Sequence, residues 1–127
     1  MAAQQILNID ASFIEDLHTG SCGAIVRDPR GDFIAASTSR LEHVADVVSA
    51  EAAALLEGLK LLQSMRGNKI LARMDNSIVV DAIHLNEGHS MVAAPVLDDC
   101  RELLRESGKV AIEHCNRKSN VVAHELA

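Results

Sequence analysis

The sequence predicts one α/β domain across residues 1–127, a five-stranded mixed sheet in the order βββαβααβα with helices packed on it. Three observations predict it. Alternating segments at residues 5–13, 22–27 and 32–39 stand close together with short polar links, as in an antiparallel meander. A leucine stripe of helical period runs through residues 49–65. Beyond it, short apolar strands alternate with helical patterns, as a parallel crossover requires.

The first strand, QILNIDASF (residues 5–13), sends Asn8, Asp10 and Ser12 one way and Leu7, Ile9 and Ala11 the other. Aspartate is depleted in strand interiors, so Asp10 breaks the local rule. Residues 15–21 read as a polar turn and CGAIVR (22–27) as the second strand. Asp28-Pro29-Arg30-Gly31 is the connection, with Pro and Gly in turn positions, and DFIAASTS (32–39) returns as the third strand. Asp46 is the expected N-cap of the long helix SAEAAALLEGLKLLQSM, residues 49–65. Leu55, Leu59 and Leu62 form its stripe, widened by Leu56 and Met65. Glu51 stands four residues before Leu55, on or at the edge of the inward face. Burying an unpaired carboxylate costs several kcal/mol or more, yet an acid in a first helical turn also favours the dipole. Glu51 therefore has two readings. Gly58 costs about 1 kcal/mol against Ala and predicts close approach of another backbone.

Arg66-Gly67-Asn68 ends that helix. Residues 69–74 (KILARM) form a fourth strand, ended by Asp75, and residues 76–85 a helix. Residues 86–90 form a loop. Pro95 opens the next helix; Leu97, Cys100, Leu103 and Leu104 give its apolar face, and Ser107-Gly108 stops it. KVAIEHC (109–115) is the fifth strand, expected to carry His114 as a satisfied core residue. Residues 116–119 turn, and residues 120–127 start a last helix that is cut short at Leu126-Ala127, as in a domain excised from a longer protein.

Composition narrows the function classes. A net charge of −6 argues against tight, non-specific nucleic-acid binding by this chain alone. No apolar run reaches the roughly 18 residues of a membrane span, and MAAQQILNID lacks the features of a secretory signal. Cys22, Cys100 and Cys115 are odd in number and form no CxxC pair, so they read as reduced core thiols of an intracellular protein, in nucleus or cytoplasm.

Three carboxylates carry the chemical signal: Asp10 mid-strand, Glu51 on a packing face and Asp75 where a strand meets a helix. Each has a structural alternative. Asp75 alone reads most simply as an N-cap, and Asp10 could serve an edge strand. In a crossover sheet, however, central strands lie adjacent and ligands collect near the point where strand order turns. Clustered carboxylates raise one another's pKa unless a cation neutralises them. Hard oxygen ligands without Cys or clustered His select Mg²⁺ or Mn²⁺.

Five blocks in order, NIDASF, AIVRDPRGDFIAAS, SAEAAALLEGLKL, ARMDNSIVVDAI and RKSNVVAHELA, resemble the ribonuclease H family. More narrowly they resemble its reverse-transcriptase-like branch, common in plant genomes and retroelements. The resemblance covers almost the whole chain. It implies a metal-dependent endonuclease that hydrolyses the RNA strand of RNA–DNA hybrids with two ions, Mg²⁺ or Mn²⁺. Asp10, Glu51 and Asp75 match the family's metal-binding acids. The fourth acid usually follows Asn-x-x-Ala; here Asn120-Val121-Val122-Ala123 precedes His124, so imidazole takes the fourth catalytic and metal-binding place. Alternatively His124 only caps or packs in the last helix. Ser12, Asn76, Arg117 and Asn120 are the candidate substrate contacts. Arg117 falls where bacterial relatives carry a mobile histidine, and Val47 and Val48 where they carry asparagines that touch RNA 2′-hydroxyls. Ala11 replaces the usual Gly after Asp10, and residues 86–90 have no basic protrusion.

With His124 neutral the site carries one negative charge fewer than the family's full set, which predicts higher activity with Mn²⁺ than with Mg²⁺. Substrate affinity would come from Arg27, Arg30, Arg40, Arg73, Arg117 and Lys118, or from a protein partner or a longer parent chain. The alternative is a catalytically weak or inactive module, derived from a retroelement, that binds nucleic acid or protein. The acidic charge, Val47, Val48 and His124 favour that alternative, and the three acids favour the enzyme. An exonuclease of the same superfamily fits residues 120–124 less well.

Overall fold

β1 (Gln5–Ile14) occupies the centre of the sheet, because it is the strand both halves of the chain pair with. The computed structural model describes residues 4–65 and 69–120, the side chain of Ser119 apart. Among these, β1, β2 (Thr19–Arg27), β3 (Phe33–Leu41), β4 (Ile70–Met74) and β5 (Val110–His114) form one sheet in the order β3-β2-β1-β4-β5. The meander is antiparallel, and β1, β4 and β5 run parallel. Three helices accompany it: α1 (Val47–Gln63), α2 (Ser77–Leu85) and α3 (Ala94–Ser107), with short 3₁₀ turns at Glu15–Leu17 and Arg117–Asn120.

The polar residues before Cys22 belong to β2 and not to a turn. The β1–β2 ladder continues through Ser12↔Ser21 to Ile14↔Thr19, so cross-strand pairing overrides their polarity. A Cβ on Gly20 would lie 2.2 Å from the Ser12 carbonyl oxygen, which makes glycine the residue that lets these strands meet. At the next connection Asp28 Oδ1 accepts from the backbone N–H groups of Arg30 and Asp32, both at 2.9 Å, and Gly31 supplies the left-handed φ of 88°.

α1 begins where expected, with Asp46 accepting from the Ser49 N–H at 2.7 Å. Leu55, Leu59 and Leu62 are buried against the sheet. The close neighbours of Gly58 are side chains and not a backbone: a Cβ there would come within 3.1 Å of Ile9 and 3.4 Å of Leu7. α3 carries Pro95 in its first turn and ends at Gly108, φ 64°. Its Leu97 and Cys100 are wholly buried, the Cys100 thiol 3.8 Å from the Ala52 carbonyl of α1. All three cysteines are buried and free of disulfides. Burial pushes the thiols of Cys22 and Cys100 up to about 12, which keeps them protonated and inert. No described helix is long and apolar enough to cross a membrane. The helix end expected at residues 66–68 falls outside the described residues, as does the expected last helix of residues 120–127 beyond Asn120.

Candidate active site

The parallel ladder between β1 and β4 ends at Ile9↔Met74. Asp10 and Asp75 are the next residues on the two strands, and there the strands part. β1 continues alongside β2 alone, whereas the chain after Asp75 turns into α2. Two hydrogen bonds tie the end of β4 to the end of β5: the Cys115 N–H donates to the Met74 carbonyl at 2.9 Å, and His114 Nε2 lies 3.1 Å from the Asp75 carbonyl. Glu51 enters from α1. One potential ligand oxygen from each of Asp10, Glu51 and Asp75 lies within 4.8 Å of the other two.

The structural alternatives for the three acids fall one by one. α2 is capped by Asn76, whose side chain accepts from the Val79 N–H at 3.1 Å, so Asp75 is not the cap. β1 is central, so Asp10 serves no edge. Glu51 lies beyond the first turn of α1 and is buried, so the dipole reading does not account for it.

The electrostatics follow from this crowding. Asp10 is 2% and Glu51 6% exposed. Burial is the largest cause that pushes Glu51 up to about 8, and the charges of Asp10 and then Asp75 push the same way. A hydrogen bond with the Asp10 side chain adds to the rise, and one from the Ala11 backbone opposes it. Burial and crowding thus favour the protonated form of Glu51 in the metal-free protein. Its Oε2 is buried and without a hydrogen-bond partner among the described residues. Positive charge reaches the cluster from one side, where Arg117 Nε stands 3.6 Å from Asp75 Oδ2. An oxygen-only donor set with a buried, unpartnered carboxylate oxygen fits a hard divalent cation.

A cleft opens beside the cluster, lined by Val47 and Glu51 of α1, by Asp75 and Asn76, and by residues 114–117. It brings together two of the candidate substrate contacts, Asn76 and Arg117. Ser12 lies two residues beyond Asp10 on β1, its hydroxyl 2.8 Å from that of Ser21. Asn120 is engaged inside the fold. It is 1% exposed, its Nδ2 donates to the Ile9 carbonyl at 2.7 Å, and its Oδ1 accepts from Asn8 at 3.0 Å. His124 lies outside the described residues. Arg73 is engaged by Glu113 at 2.9 Å.

His114 is a correction. It is exposed at the cleft and not in the core. The signal was its place at the end of a strand parallel to β4, which puts it opposite Met74 and next to Asp75. Cys115 and Asn116, also unmarked by sequence, line the same cleft. Burial pushes the Cys115 thiol up, with Asp75 and Asp10 among the charges that raise it further and Arg73 opposing.

The sequence pattern of the family described as reverse transcriptase-like matches residues 8–127. No curated protein sequence matches. Among solved structures, RNase H1 from the halophilic archaeon Halobacterium salinarum NRC-1 is 20% identical, with 98% of this chain and 94% of that chain covered and a TM-score of 0.88. LC11-RNase H1, solved in complex with an RNA/DNA hybrid, is 18% identical, with 96% and 92% covered and a TM-score of 0.86. The foamy viral protease-reverse transcriptase, also solved with an RNA/DNA hybrid, is 15% identical, with 99% of this chain and 19% of that one covered and a TM-score of 0.77. At these identities the likeness establishes the fold, which is RNase H-like.

Proposed function

Because the chain belongs to the reverse transcriptase-like family, we propose that it is a metal-dependent endonuclease hydrolysing the RNA strand of RNA–DNA hybrids. One observation carries this reading: Asp10, Glu51 and Asp75 converge although Asp75 does not cap α2, Asp10 serves no sheet edge and Glu51 lies beyond the first turn of α1. Three crowded carboxylates destabilise a fold unless they serve a ligand.

Asp10, Glu51 and Asp75 would hold the cations, and His124 would complete the set as the fourth member. When bound, two divalent ions there supply an activated water and neutralise charge on the leaving oxygen. The protein's own contribution is positional. β1 and the β4–α2 junction fix two carboxylates on a rigid frame, and α1 presents the third. Asn76 and Arg117 stand at the mouth, where a nucleic-acid backbone would pass, and Ser12 flanks Asp10. Mn²⁺ is the expected better ion, since imidazole at the fourth place is a softer donor than carboxylate. The buried, protonated thiols support an intracellular setting, nucleus or cytoplasm.

The test is cleavage of a labelled RNA–DNA hybrid with Mg²⁺ or Mn²⁺ by the wild type, Asp10→Asn and Asp75→Asn. Metal-dependent cleavage by the wild type alone is the expected result. Equal background from all three proteins would overturn the enzyme reading in favour of a module that binds nucleic acid or a protein partner. The exposed Val47 at the cleft, in place of a polar side chain, and the net charge of −6 favour that second reading.

A further inference from the structure

We infer that Arg117 is a resident counter-ion of the acidic cluster, paired with Asp75 in the metal-free protein and released to solvent when a divalent cation binds. The inference rests on the reading above that the cluster takes a cation, and concerns what holds it until then.

Arg117 Nε lies 3.6 Å from Asp75 Oδ2, with Arg117 77% exposed and Asp75 11% exposed. The pair thus spans the mouth of the cleft, its anion inside and its cation outside. The backbone that carries Arg117 is anchored from below. Arg117 opens the 3₁₀ turn Arg117–Asn120, and that turn is pinned to β1 by the two buried hydrogen bonds of Asn120. Its side chain can swing while its root stays fixed. Arg73, two residues before Asp75 in sequence, is drawn to Glu113 at 2.9 Å.

A single guanidinium is a poor match for this cluster. It reaches one carboxylate, while Glu51 Oε2 inside remains without a partner among the described residues. It therefore offsets part of the mutual repulsion and does not serve that Glu51 oxygen. A small divalent ion carries twice the charge and can sit among all three acids. An ion pair at 3.6 Å whose guanidinium is largely in solvent contributes little, so surrendering it is easy, and a cation bound at Asp75 repels the guanidinium that stood there. Arginine and metal then compete for one anion, and removing the arginine must tighten metal binding.

The experiment is calorimetric titration of Mn²⁺ into metal-free protein without nucleic acid, comparing wild type, Arg117→Gln and Arg105→Gln. Arg105 sits on α3, paired with Glu102, and its loss changes the net charge by the same amount. Arg117→Gln is expected to lower the apparent Kd by about two- to five-fold, with Arg105→Gln unchanged. A second readout is the Arg117 side-chain Nε–H resonance, identified by its loss in Arg117→Gln, which should shift on saturation with diamagnetic Mg²⁺. An unchanged or weaker Kd in Arg117→Gln, or an equal gain in Arg105→Gln, would overturn the inference while leaving the metal site intact. No Mn²⁺ binding by any of the proteins would overturn the metal reading itself.

Discussion

Two buried polar clusters hang from the same strand, two residues apart, and they are built on opposite terms. At Asn8 the cluster is neutral and closed: Asn120 accepts from Asn8 and donates to the Ile9 carbonyl, so both ends of its amide are used. At Asp10 the cluster is anionic and open: three carboxylates crowd together, one buried oxygen of Glu51 has no hydrogen-bond partner among the described residues, and the nearest arginine reaches in from solvent. The first arrangement is what a fold does with buried polarity when only stability is at stake. The second is destabilising by itself, and its persistence points to a ligand. The contrast separates a polar group that holds the structure from one that the structure holds.

The sharpest way to test the contrast is to neutralise the open cluster. Asp10→Asn should lower hybrid cleavage by more than about 100-fold, since losing partners that merely support a metal ligand already costs about 10- to 100-fold. Opening the closed cluster should instead be felt in folding. Asn120→Ala strands the Ile9 carbonyl and part of the Asn8 amide, and urea unfolding should show a loss of about 2–4 kcal/mol. A third prediction concerns pH. Glu51 is raised in the folded state to about 8, far above its unfolded value near 4.3. The folded protein therefore binds the extra proton between these values, and metal-free stability should fall as pH rises from about 5 to about 8. Glu51→Gln should flatten that slope and stabilise the metal-free protein at pH 8 by about 1–3 kcal/mol, read from melting temperatures across the range. Asn120→Ala should leave the slope in place. The smallest effect belongs to the apolar face of the same strand. Gly58→Ala gains up to about 1 kcal/mol of helix propensity, but its new Cβ meets Ile9 at 3.1 Å. The two should nearly cancel, with a net change within about 1 kcal/mol.

Much of this molecule is legible in sequence because the relevant signals are local. The strand at β1, the period of 3.6 in α1, the cap at Asp46 and the Pro95 and Gly108 boundaries of α3 each need only near neighbours, and each is found in the structure. Residues 7–10 of β1, however, are buried on both faces of the central strand and not on one. Asp10 and Glu51 stand out for a related reason, since each sits badly in its own element, whereas Asp75 alone reads as a cap and gains its meaning only beside them. What stays hidden depends on distant partners. Nothing near Asn8 announces a bond to a residue 112 positions away. His114 looks like one of the inward residues of a short strand until the parallel register with β4 sets it at the cleft. Thr19, Gly20 and Ser21, which begin β2, read as turn because their strand character comes from β1 across the ladder. Gly58 announces close packing correctly but cannot say that side chains, not a backbone, do the packing.

The end of the ladder at Ile9 and Met74 also makes the length of β4 a ruler. Asp75 reaches the cluster because five residues, Ile70–Met74, run in register with Gln5–Ile9 before the strands diverge. Adding or deleting one residue within that span would turn the carboxylate to the far side of the sheet while leaving the composition of the site intact on paper. Insertions between α2 and α3 face no such gauge. Chains with this architecture should therefore vary freely in the second place and keep an invariant count in the first.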